Sequence, residues 1–125
     1  MTSEVMPTVR ADVEPALAGH AFVVNVDTGL MARQEYSPDG KQVTLTVLTS
    51  GNSGVPEGPC GTVDVYFRRV SYGKYHVGWV EPNGVVICNV QDLVEGTMTN
   101  FVSKPGADGG PPSGEMHLGT VRRES

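Results

Sequence analysis

Turn signals break this chain at short intervals along most of its length. Thr28-Gly29, Ser37-Pro38-Asp39-Gly40, Ser71-Tyr72-Gly73, Pro82-Asn83-Gly84 and Val94-Glu95-Gly96 each separate short runs rich in β-branched and aromatic residues. The run from Lys41 to Ser50 alternates, with Val43, Leu45 and Val47 on one face and Thr44, Thr46 and Leu48 on the other, the pattern of a half-buried strand. Two longer breaks interrupt the series, over residues 51–61 and 104–114, and both are dense in glycine and proline. With 16 glycines and 9 prolines, turn-forming residues make up a fifth of the 125 positions, and no amphipathic helix is legible anywhere. The tally is about eight strands. An antiparallel up-and-down barrel hides strand edges best for an all-β chain of this size, and a β-sandwich is the alternative that strand count alone leaves open.

The length suits one domain, expected over residues 18–125, preceded by a loose lead-in over 1–17 where Pro7, Pro15 and scattered charges show no periodicity. A formal net charge of -5 argues against nucleic acid as a partner, since Arg68-Arg69 and Arg122-Arg123 are isolated pairs rather than a patch. The apolar run Ala18 to Val26 is broken by Gly19, His20 and Asn25, so neither a membrane span nor a leader is expected, and a cytoplasmic location follows. In that compartment Cys60 and Cys88 read as free thiols, although one disulfide between them is not excluded by spacing. A homodimer is compatible with such a barrel.

The stretch Gly73 to Gly84, GKYHVGWVEPNG, carries the most chemistry. Alternation puts Tyr75, Val77, Trp79 and Glu81 on one face and His76, Gly78 and Val80 on the other. A carboxylate beside a tryptophan on an apolar wall is a group whose proton affinity burial can raise, which suits a general acid or base. Against this stands a plain alternative: Glu81 as a solvated residue closing a strand. His20, His76 and His117 match no metal-ligand spacing, so no metal is expected. His20 and His117 lie near the first and last strands, which barrel closure would bring together. Ser53 lacks a nucleophile elbow, and no phosphate-cradling glycine loop opens a helix, so no cofactor is expected either.

The same dozen residues resemble the strand and turn of the phenolic acid decarboxylases, which read G-x-Y-x-V-x-W-x-E-P-x-G, and they are similar to the MoaF-like family of small lipocalin-like (calycin) barrels. The resemblance extends through VNVDTG (Val24 to Gly29) and VVICNVQDLVEGTMTNFV, covering residues 19–102. It implies a lipocalin-like barrel and places the decarboxylases' catalytic glutamate on Glu81 and its neighbouring tryptophan on Trp79. Their two carboxylate-gripping tyrosines fall on Val24 and Val26, which cannot donate a hydrogen bond, and their G-R-W arginine has no counterpart in residues 51–61. Cinnamate-type decarboxylation is therefore not expected. The reading that remains is a cofactor-free enzyme of isomerase, cyclase or lyase type acting on a small apolar molecule within the barrel. In it Glu81 serves as acid or base, and Trp79, Tyr75, Tyr66, Val77, Val24 and Val26 form the wall. The alternative is a lipocalin-like carrier of a small hydrophobic ligand.

Overall fold

The structure, a computed structural model, describes residues 14–124. Among the described residues eight strands follow one another: β1 (Ala21–Val26), β2 (Met31–Tyr36), β3 (Gln42–Thr49), β4 (Gly58–Ser71), β5 (Lys74–Val80), β6 (Val86–Asp92), β7 (Thr97–Lys104) and β8 (Ser113–Arg123). Each pairs antiparallel with its successor, and β8 returns to pair with β1 through Val24↔Val121, closing an up-and-down barrel rather than a sandwich. Closure leaves no free sheet edge. The only helical element among the described residues is a single 3₁₀ turn at Ala107–Gly109, and no helix among them is long and apolar enough to cross a membrane.

The turn at Pro82 to Gly84 joins β5 to β6 as its sequence predicts. The Glu81 carbonyl accepts from the Gly84 amide, the Glu81 amide donates to the Val85 carbonyl, and Gly84 takes the left-handed conformation, φ +89°, that the turn needs. Gly119 serves closure differently. A Cβ built there would lie 2.4 Å from the Asn25 carbonyl oxygen, so only glycine lets β8 approach β1 this closely. The long break after β3 is shorter than its composition suggests, because Gly58 to Gly61 already pair with β3 as the start of β4.

The two ends of the barrel differ. At one end, Phe22, Tyr36, Phe67 and Tyr75 meet edge to face in succession, with ring centroids 5.8–6.2 Å apart. Leu17, fully buried, lies in the same core, and the Tyr75 hydroxyl donates to the Pro15 carbonyl at 3.3 Å. The Glu14 carboxylate accepts from Arg69 and from the Gly73 amide, and the Arg69 hydrogen bond, more than that of Gly73, holds the Glu14 carboxyl below its ordinary value. The expected loose lead-in is thus corrected at its C-terminal edge: residues 14–17 are built into the closed end, while residues 1–13 lie outside the described residues. At the other end, where the turn at residues 81–84 and both long loops lie, the inward residues Val26, Ala32, Val63, Ile87 and Val102 are only half-buried. That end is the mouth.

Candidate functional site: the barrel interior and its mouth

Alternation along β5 places Tyr75, Val77 and Trp79 inward, all buried, as their sequence pattern predicts. The side chains do not converge on one site, however. Trp79 lies near the mouth, where its indole N–H donates to the Glu81 carboxylate at 3.4 Å and holds that half-buried group at the lip. Tyr75 starts the same strand at the closed end. Six steps along the strand separate it from Glu81, roughly 20 Å. Val77 and Val24 line the interior between them, and Val26 sits near the mouth. Tyr66 corrects the expectation outright: it is 68% exposed, on the outer face of β4 beside Asp64 and Arg68, whereas Val65 and Phe67 point inward. Glu81 lines neither of two concavities among the described residues. One of about 240 Å³ opens at the closed end beside Pro15, Phe22, Leu93 and Val121, and a shallower one of about 450 Å³ lies on the outer face.

Sequence reasoning missed a set of polar side chains inside the barrel. Gln34 and Tyr36 on β2, Asn89 and Gln91 on β6 and, less buried, Asn100 on β7 all face the axis. The Tyr36 hydroxyl donates to Gln34 Oε1 at 3.0 Å, and burial pushes its phenol far above the ordinary value, so it stays a neutral donor. The Gln91 amide nitrogen lies 3.0 Å from Asn89 Oδ1 and 3.3 Å from both Gln34 Oε1 and Tyr36 Oη. Asn89 in turn donates to Asn100 Oδ1 at 3.4 Å. Gln91 Oε1 is fully buried and has no partner among the described residues. An orphaned buried acceptor costs about 1–3 kcal/mol. In the strand register Gln91 stands opposite Tyr75 and Asn100 opposite His117, so the polar track runs from the closed end toward the mouth.

His117 joins β8 to the end of β1. Its Nε2 lies 3.1 Å from Glu115 Oε1 and its Nδ1 lies 2.8 Å from Asp27 Oδ1, while Asp27 also accepts from the Leu118 amide. The expected approach of His117 to His20 does not occur, because His20 precedes β1 at the closed end. Hydrogen bonds to Glu115 and then Asp27 raise the imidazole above 6.5. Asp27 is held below its ordinary value by the Leu118 amide and then His117, and Glu115 by His117 and then Lys104. The imidazolium therefore stabilises the fold below about pH 6.5, and this contribution fades as pH rises through the raised folded value. The carboxylates stabilise above their unfolded values near 4, and their contribution is lost as pH falls through the depressed folded ones. Both are present together between about pH 4.5 and 6.5. Thermal melts from pH 3 to 9 should show a shallow maximum in that window, and His117→Gln should flatten its alkaline side. An unchanged profile in the variant would contradict the assignment. The two carboxylates are exposed and the imidazole is half-buried, so the effect is a few degrees at most.

A closed eight-stranded barrel with polar groups inside and one half-open end defines a lipocalin-like protein. More narrowly, the chain belongs to the MoaF-like family, whose profile matches residues 18–117. Among solved structures, a presumed beta-lactamase from Burkholderia vietnamiensis is similar at 22% identity and TM-score 0.72, over 89% of this chain and 98% of that one. Rhizavidin in its complex with biotin is similar at 10% identity and TM-score 0.51, over the same shares. At these identities the likeness is one of fold. A comparison with curated proteins finds no match.

Proposed function

We propose that the barrel binds a small organic molecule with an apolar body and a neutral head group that donates an N–H or O–H. The unpartnered Gln91 Oε1 carries this reading, because a buried acceptor without a donor is stabilised by any ligand that supplies one. The head is neutral because the surrounding groups are amides and a phenol, and the body is apolar because Val24, Val77 and Met98 surround them. Rhizavidin, similar in fold, is found in complex with biotin, which supports a small-molecule reading. Free thiols at Cys60 and Cys88 suit the reducing conditions of a cytoplasmic protein.

The test is a thermal-shift and native mass spectrometry screen with alkyl- and aryl-substituted lactams, imides and phenols. Gln91→Leu keeps the volume and removes the acceptor. It should weaken a binder at least about tenfold while changing unfolding free energy by about 1–2 kcal/mol. A binder indifferent to Gln91→Leu, or no binder in the panel, would overturn the proposal.

A second reading adds chemistry at the mouth. There Trp79 fixes the Glu81 carboxylate at the lip, where it can move a proton on a bound molecule without a cofactor, in the manner of an isomerase, cyclase or lyase. Glu81→Gln separates the two readings.

A further inference from the structure

The outer face of β4, β5 and β6 holds a nucleophile and a base that the interior does not use. The strand register aligns Tyr66, Gly78 and Cys88 across the three strands, and aligns Arg68, His76 and Val90 in the adjacent row. Gly78 contributes no side chain, so His76 reaches over it, and its Nε2 lies 3.0 Å from Cys88 Sγ. The same gap forms the floor of the 450 Å³ groove, whose walls are Tyr66, Arg68, His76, Val80, Val86 and Cys88. Tyr66, Val80 and Val86 are exposed there, apolar surface that a soluble barrel leaves uncovered at some cost.

We infer that this groove is a covalent acceptor site for soft electrophiles, specifically α,β-unsaturated carbonyl compounds with an apolar tail. A thiol prefers a soft carbon centre, and its thiolate is the attacking species. With the proton on Nδ1, His76 Nε2 accepts the Cys88 thiol proton as the sulfur electron pair forms an S–C bond to the β-carbon. The C=C π bond opens to an enolate, and the imidazolium returns the proton to the α-carbon. Nothing is oxidised or reduced, and no leaving group departs. Tyr66, Val80 and Val86 hold the tail, and the Arg68 guanidinium in the same wall faces the carbonyl oxygen as it gains charge.

Cys60 provides an internal control. It is the more exposed thiol, and its only neighbour within hydrogen-bond range among the described residues is the Gly58 carbonyl, at 3.6 Å. Exposure alone therefore favours Cys60, and the groove favours Cys88. The full chain is treated with substoichiometric trans-2-nonenal, and adducts are quantified at each cysteine by peptide mass spectrometry. Cys88 should react at least about tenfold faster than Cys60. His76→Asn should lower the Cys88 rate about tenfold and leave Cys60 unmoved. Gly78→Leu, at a position where a Cβ meets only ordinary contact with the Ile87 carbonyl, should fill the groove and abolish the preference. Circular dichroism checks that both variants keep the barrel, and the ratio in the parent protein needs no variant. Modification of Cys60 first, a His76→Asn protein with an unchanged ratio, or a dimer in sedimentation that covers and protects Cys88 would each overturn the inference. The interior reading is independent of all three outcomes.

Discussion

Tyr36→Ala is expected to lower the unfolding free energy by about 4 kcal/mol, a large share of what a domain of this size holds in reserve. Tyr36→Phe should cost only about 1 kcal/mol. The ring is 2% exposed and lies between Phe22 and Phe67 in the aromatic succession that closes one end, so truncation removes its apolar contacts and leaves a hole that the closed barrel cannot collapse around. The hydroxyl is a separate contribution: it donates to Gln34 and lies within reach of the Gln91 amide, and both retain another contact without it. Urea denaturation of the two variants checks this, with the slope unchanged and the midpoint shifted. Equal losses in both would mean that the hydroxyl network, rather than ring packing, holds the closed end together.

The strands were legible in the sequence because turn chemistry and alternation agree. Val43, Leu45 and Val47 face inward as their pattern requires, and Pro82 to Gly84 turns as its residues dictate. The inner polar track was not legible, for a physical reason. On β6 the apolar set Val86, Cys88 and Val90 alternates with Ile87, Asn89 and Gln91, and pattern alone would bury the first set. The structure buries the second. The short turn after β5 fixes the register, so that Trp79 pairs with Ile87 and Val77 with Asn89, and two buried residues of β5 impose their face on β6. A usable signal existed on β2, where Gln34 falls between the inward positions Ala32 and Tyr36 while Arg33 and Glu35 take the other face. Tyr66 was equally readable, since it shares a parity with Asp64 and Arg68.

The site was legible in part. One strand does carry Tyr75, Val77 and Trp79 on one face, with Glu81 following at its end, yet a shared face is not a shared site. Strand length separates Tyr75 from Glu81, and the N-terminal segment that seals Tyr75 has no periodicity by which its packing could be foreseen. Asp27 and His117, ninety residues apart, meet because β8 closes on β1, a pairing that no local pattern encodes.

Glu81→Gln should reduce turnover by roughly two to four powers of ten if the barrel moves protons on its ligand, while leaving affinity within about twofold. Glutamine preserves the volume and an oxygen that accepts from the Trp79 indole at the lip, so the local packing stays. Only the ability to take up and return a proton is lost. Glu95→Gln is the matched control, because Glu95 lies in the exposed turn between β6 and β7 at the closed end, away from Trp79. The measurement follows any binder found in the interior screen by product formation and proton exchange with solvent, alongside calorimetric affinity for the parent and both variants. A carrier gives a different pattern: no turnover in the parent protein, and at most an affinity change in Glu81→Gln. Turnover that survives Glu81→Gln undiminished would remove Glu81 from the chemistry, and would move attention to the titratable cluster at the mouth, the His117 imidazole held between Glu115 and Asp27.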